Sequence, residues 1–332
     1  MARKGSLRAR LQRGARGLAE RLAVAPLVVL SKVLPALPER AVRGLARVAA
    51  DLLSVLDRRG RRAALEGLAA VYGDEMPPAE RRRVMRGAYR TAVLAEALLF
   101  HVQPMTPARF ARYVRVAPED EARLRALAAR HRGWVVASAH FGNWEMLLAA
   151  ADGLGYLPPT DYVAESTGSL AVDRLFERLR AHAGGRAAMR KGGAVALRAS
   201  LTAGRCVSLL ADRNVPSRYG GTYVPFLGIP ARTTPVPAKL AWWHEVPLAV
   251  ALLVPEGEAR WRLWVSGDLM ERTGDEERDV AAALARVNDV FSRAIREHPE
   301  AWAWMLKRWK SRPTPELGPY PPYSLLDADE PG

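Results

Sequence analysis

Cysteine is nearly absent: Cys206 is the single thiol in 332 residues. No intrachain disulfide can form, and the usage fits a reducing compartment. Cys206 opens the apolar run Cys206 to Ala211, so it reads as a buried structural thiol rather than a nucleophile. Lysine is scarce as well, six of the fifty basic residues. The sequence also lacks the run of ~20 apolar residues that a membrane-spanning helix needs. Its nearest approach, Leu22 to Leu37, is broken by Pro26 and Lys32, and no small-residue cleavage site of a signal peptide stands where one is expected. Without a Gly-x-Ser-x-Gly elbow, serine-hydrolase chemistry of the α/β type is not expected. His244-Glu245 lacks the second histidine of a metalloprotease helix, and no metal site is expected. Zinc-finger spacing, an RNP-like motif and a glycine-rich nucleotide loop are missing too, so only charge speaks for nucleic acid as a partner.

Charge is what the chain has in excess, with a formal net of +15. The arginine and alanine bias fits a GC-rich genome, which accounts for part of that excess. The remainder suits an anionic partner: a membrane surface, a phosphorylated lipid or an acidic carrier protein. Residues 1–21 hold seven basic side chains against one acid, Glu20. Two readings of residues 1–37 stand side by side. One is a monotopic anchor lying on an anionic leaflet; the other is an amphipathic helix packed on the domain.

The stretch Trp134-Val-Val-Ala-Ser-Ala-His140-Phe-Gly-Asn-Trp-Glu145 carries the clearest chemistry. Trp134 to Ala139 has the apolar character of a buried strand. Gly142 and Asn143 are turn and cap residues, and an apolar-faced helix is expected from Trp144 to Ala151. His140 therefore stands at the carboxyl end of a strand, the edge at which open α/β sheets place their sites. An imidazole there can take a proton from an alcohol. A carboxylate on its other nitrogen would fix the tautomer, and Glu145, folded back across the turn, is the expected partner.

His-Phe-Gly-Asn-Trp-Glu resembles the histidine, four residues, acidic residue motif of the lysophospholipid acyltransferase superfamily. In wording it is similar to the lipid A biosynthesis (late, secondary) acyltransferases, a branch that includes phosphatidylinositol mannoside acyltransferase-like members. Further resemblances follow in order: the strand ending at Asp212-Arg213-Asn214, the loop Tyr223-Val-Pro-Phe-Leu-Gly228, and His298-Pro-Glu-Ala-Trp-Ala-Trp304 with its basic cluster through Arg308 and Lys310. Where relatives carry a basic residue after the second strand, this chain has Glu165, which leaves the acceptor open. The resemblance spans residues 30–312. It implies a glycerolipid acyltransferase-like sheet, a membrane-seeking N-terminus at the cytoplasmic face of a bacterial inner membrane, and acyl carrier protein or coenzyme A thioester as co-substrate. It also implies His140 as general base and Glu145 as its orienting acid.

The organisation expected is α/β: a largely parallel central sheet flanked by helices, with a helical N-terminal layer over 39–102. Residues 1–37 form the membrane-associating segment, 38–312 one catalytic domain, and 313–332 a proline-rich tail that is extended or disordered. Backbone N–H groups near Gly142 are expected to hold the tetrahedral oxyanion. Asn143, Asp212, Arg213, Arg232 and Arg308 are expected to bind the substrate, with bracing of the loop as the alternative for Asp212, and Arg213, Arg218 and Arg232 to meet anionic headgroups through bidentate contacts. The alternative for each arginine is a solvated surface charge. For the tryptophans after His298 it is a choice between a membrane interface and the core. The function expected is transfer of a fatty acyl chain from a thioester to a hydroxyl of a lipid A precursor or related glycolipid. Phosphatidylinositol mannoside and lysophospholipid are alternative acceptors, and a non-catalytic lipid-binding relative is the alternative from another class.

Overall fold

A computed structural model describes residues 24–130, 132–164, 166–181, 186–189, 193–314 and 318–326. Most of the expected basic segment and Glu165 lie outside the described residues. Helices come first: α1 over 24–33, then α2 (Glu39–Leu56), α3 (Arg58–Tyr72) and α4 (Pro78–His101). Asp57 caps α3 by accepting from Gly60 N–H, and Pro78 opens α4 at a position that needs no N–H. α2 lies along α4 and turns its small residues Ala46, Ala50 and Ser54, with Val42, inward.

The sheet follows as α5 (Pro107–Tyr113), β1 (Val114–Val116), α6 (Pro118–Arg130), β2 (Val135–Ser138), α7 (Trp144–Leu147), α8 (Ala150–Leu154) and β3 (Thr160–Ala164). Next are α9 (Leu170–Arg180), β4 (Ala187–Met189), α10 (Gly193–Thr202), β5 (Cys206–Leu210), β6 (Thr222–Phe226), β7 (Ile229–Thr233) and α11 (Val236–Trp243). β8 (Leu248–Pro255), β9 (Trp261–Val265), α12 (Glu276–Glu297), β10 (Ser311–Arg312) and β11 (Leu325–Leu326) complete the chain. Seven strands are ordered β1-β9-β8-β2-β5-β3-β4. Every neighbouring pair is parallel except the β8–β9 hairpin. The central strands β2, β5 and β8 are covered on both faces, so they are apolar runs rather than alternating ones. Val135 and Ala137 face one hydrophobic core, with α12 and the tryptophans. Trp134 and Val136 face the other, with α6 to α8, as the two-residue period of a strand requires.

Four elements differ from the sequence expectation. The short edge strand β1 pairs with β9, and three residues carry too little pattern to show it. Tyr223 to Gly228, expected as a loop, belongs to the β6–β7 hairpin. The helix expected from Trp144 to Ala151 is two short pieces separated at Leu148 and Ala149. The tail, expected to be extended or disordered, is docked on the domain over 318–326: β11 pairs with β10, Tyr320 donates its hydroxyl to Pro230 O at 2.8 Å, and Tyr323 packs on the main core. Tyr320 packs its ring while its hydroxyl keeps a partner, and Tyr323 adds buried aromatic area; together these outweigh the proline content. Among the described residues no helix is long and apolar enough to cross a membrane.

Candidate active site

Parallel pairing of β2 with β5 places Ser138 opposite Leu210. Two residues beyond each strand, at the carboxyl edge of the sheet, His140 meets Asp212. The register continues past the strands through Ala211 N–H donating to Ser138 O at 2.8 Å. His140 Nδ1 lies 2.8 Å from Asp212 Oδ1, and the His140 backbone N–H donates to Oδ2, also at 2.8 Å. The indole N–H of Trp302 donates to the same Oδ2 at 2.8 Å. An ionised carboxylate only accepts, so Nδ1 bears the proton in this pair and Nε2 is left as the basic nitrogen. The imidazole is 19 % exposed, whereas the Asp212 side chain is fully buried. Burial alone would raise the Asp212 carboxyl; the opposed charge of His140, with hydrogen bonds from His140 and Trp302, more than reverses this and holds it below the ordinary value.

The segment after His298 is built into the same site. Gly142 N–H donates to Ala301 O at 2.9 Å, and Ala303 N–H donates to His140 O at 3.0 Å. Phe141 bridges Trp302. Trp302, Trp304 and Trp309 are buried and pack edge-on or tilted against one another. The tryptophans therefore belong to the core and not to a membrane interface.

The structure moves three of the expected roles. Glu145 does not fold back onto His140; it accepts two hydrogen bonds from Arg180, at 2.5 and 2.7 Å, because α7 begins at Trp144 and carries Glu145 towards α9. The N–H of Gly142 is already bound to Ala301 O, so it is not an oxyanion donor in this geometry. Arg308 is fully buried. It donates to the carbonyls of Arg213 and Arg232 and to Thr233 Oγ1 at 3.2, 2.5 and 2.6 Å, and so braces the β5–β7 connection instead of facing a ligand. Burial pushes its pKa down to about 10, which still leaves it charged near neutrality.

The remaining expected residues are Asn143, Arg213 and Arg232. Asn143 is buried and caps α7 by accepting from Met146 N–H at 3.0 Å. Trp144 presents its ring to the His140 imidazole, centroid to centroid 5.4 Å. Arg213 follows Asp212 and is exposed, while Arg232 is buried over the Tyr223 ring. Trp302 was not anticipated as a member of the site. The core alternative for the tryptophans after His298 held the signal, since an indole buried in a core needs an acceptor. At the start of β2, Trp134, Val136, Leu147, Ala151, Ala251 and Val265 line an apolar pocket. Among the described residues no group of three histidine, cysteine, aspartate or glutamate side chains could hold a metal.

A search of curated proteins returns no match to this chain. The model of the bacterial lipid A biosynthesis acyltransferase family, by contrast, matches residues 19–311. That span contains His140, Asp212 and Trp302 and both strands that bring them together. The chain belongs to the bacterial lipid A biosynthesis acyltransferase family and is an enzyme that transfers acyl groups from a donor to a lipid acceptor.

Proposed function

We propose that the enzyme works at the cytoplasmic face of a bacterial inner membrane. It moves a fatty acyl chain from a thioester to a hydroxyl of a lipid A precursor or a related glycolipid, with His140 as general base. The observation that carries this reading is the His140–Asp212 pair, held by two hydrogen bonds at 2.8 Å with Trp302 on the same carboxylate. His140 Nε2 takes the proton of the acceptor hydroxyl as its oxygen attacks the thioester carbonyl. The tetrahedral intermediate collapses with loss of the thiolate, and the imidazolium returns its proton to that sulfur. Asp212 holds the tautomer and stabilises the imidazolium; in this reading Glu145 supports the turn through Arg180. The apolar pocket at the start of β2 suits the acyl chain in composition. Arg213, exposed beside Asp212, suits an acceptor phosphate. The thioester is carried by acyl carrier protein or by coenzyme A.

The test incubates detergent-solubilised protein with labelled acyl carrier protein and acyl-coenzyme A thioesters and a total lipid extract of its own host. New acylated lipid is identified by mass spectrometry. One product is expected with wild type and none with a folded His140→Ala variant. Turnover of that variant at the wild-type rate would remove His140 as the base.

A further inference from the structure

The amphipathic order of α2 is inverted. Its inner face is Val42, Ala46, Ala50 and Ser54. Its outer face carries Leu45, Val48, Leu52, Val55 and Leu56, each between 55 and 68 % exposed, with Leu53 beside them. The spacing of three and four residues gathers these side chains into one stripe along the helix. Water is a poor surrounding for such a stripe: an apolar patch of this extent on a soluble surface marks an interaction site. On α1, too, Val29, Leu30 and Val33 are exposed.

Charge and position identify the occupant. Arg40, Arg58 and Arg59 flank the stripe and are exposed. The two acids of α2 are already engaged: Glu39 pairs with Arg260 and Arg112, and Asp51 with Arg90. Apolar side chains bordered by arginines match a bilayer with anionic headgroups, where the former enter the acyl region and the latter meet phosphates. α2 also sits at the edge of the sheet where His140 opens. Arg43 and Arg47 of α2 both bind Glu258, in the turn that leaves the carboxyl end of β8. β8 is the parallel neighbour of β2, so that turn and His140 lie at the same edge.

We propose that the outer face of α2, from Leu45 to Leu56, lies in an anionic bilayer and sets the enzyme on the membrane with its His140 edge towards the lipid. The inference rests on the lipid-acceptor reading above and goes beyond the expectation of an N-terminal anchor, because it assigns the contact to a helix of the folded domain.

The experiment uses the full chain and two readouts that do not depend on turnover. Cys206 is buried, so a thiol introduced by Val48→Cys is the accessible one for a bimane label. With vesicles of equal phosphatidylglycerol and phosphatidylcholine, bimane emission is expected to shift to the blue. A label placed by Ala203→Cys, exposed in the turn that enters β5 and so at the opposite edge of the sheet, is expected to keep its aqueous emission. In sedimentation with the same vesicles, Leu45→Ser, Val48→Ser and Leu52→Ser combined are expected to weaken binding at least about tenfold, as removal of several buried aliphatic groups from a bilayer requires. An aqueous Val48 label on protein that sediments normally would overturn the proposal. So would a label already dry without vesicles, which would mean that the face is covered by this chain or, if the signal follows protein concentration, by a second copy. Loss of wild-type acyl transfer with the blue shift intact would instead remove the reaction proposed above.

Discussion

Arg180 binds Glu145 through two hydrogen bonds of 2.5 and 2.7 Å, so the motif's acidic residue is spent on an arginine while Asp212 serves the histidine. The two carboxylates are therefore separable by kinetics. Asp212→Asn keeps the shape but gives Nδ1 an amide in place of a charge. Its kcat is expected to fall by about three to four orders of magnitude, as loss of the orienting carboxylate does in histidine-based acyl transfer. Glu145→Gln, assayed at the same pH, is expected to lose about tenfold or less, since it acts only through turn geometry. If the two losses are reversed, Glu145 and not Asp212 is the partner of His140.

The same pair supports a stability test. Glu96 lies close to both, and its Oε2 is buried without a hydrogen-bond partner among the described residues. Arg180→Met would leave Glu96 and Glu145 facing each other with no cation between them. Removing one partner of a buried ion pair typically costs about 3–5 kcal/mol. The urea midpoint of Arg180→Met is expected to drop by that order, and Glu145→Gln in the same chain to restore much of it. A midpoint equal to wild type for the single variant would show that the cluster is well hydrated.

Glu96 also gives stability a pH dependence. Burial, and then the nearby Glu145 charge, raises its carboxyl from 4.5 to about 8. Below 4.5 the group is neutral in the folded and unfolded chain, and its contribution is complete. Between 4.5 and 8 the unfolded chain releases the proton while the folded one keeps it, so stability falls as pH rises. The slope for one proton is about 1.4 kcal/mol per pH unit at most. Glu96→Gln is expected to flatten the decline between pH 5 and pH 8 relative to wild type. Parallel curves for the two proteins would mean that Glu96 is ionised in the fold.

Much of this architecture was legible because its signals are local. The helical layer over 39–102 follows from helical periodicity, and α2, α3 and α4 fall within it. β2 and β5 followed from apolar runs that end in polar residues, which also placed His140 and Asp212 at strand ends. Their adjacency was not legible, since it depends on β2 and β5 being neighbours and on Ser138 facing Leu210, a pairing 72 residues apart that no window of sequence encodes. Glu145 was assigned to His140 for the converse reason: five residues of separation looked like proximity, but α7 turns the side chain towards Arg180, itself 35 residues on. Arg308 is expected by residue type to face a ligand or solvent, and Trp302 to lie at a membrane interface or in the core. What buries them is the return of the segment after α12 across the site, a long-range contact as well.

Trp302 tests that return directly. Its indole is one of three donors on the Asp212 carboxylate. Trp302→Phe keeps most of the ring packing and removes one charge-assisted bond, worth about 1.5–3 kcal/mol. With less support for its charged form, Asp212 is expected to titrate at higher pH, and the acid limb of the kcat profile to move upward with it. Trp304→Phe, whose indole donates to Pro299 O and not to Asp212, is the control. An acid limb unmoved in Trp302→Phe, or moved equally in both variants, would deny the indole a part in setting that carboxylate.

Gly142 is the position at which backbone and site are most tightly joined. Its φ is +57°, and a Cβ added there would lie 1.8 Å from the Leu253 carbonyl oxygen. Its N–H is held by Ala301 O, so the residue cannot retreat without parting the His140 turn from the segment that carries Trp302. Gly155 separates the two penalties: its φ is +70°, but no atom lies within 4 Å of an added Cβ. Gly155→Ala is expected to cost about 1–2 kcal/mol, the conformational term alone. Gly142→Ala is expected to cost about 4 kcal/mol or more, in the range reserved for overpacking with strain, and to lower kcat in whatever fraction still folds, because relief of the clash displaces His140 from Asp212. Denaturation of both variants beside wild type, with activity corrected for folded protein, checks this. Equal costs at the two glycines would mean that the β8 edge yields to the methyl group, and that the His140 turn is not fixed by its approach to Leu253.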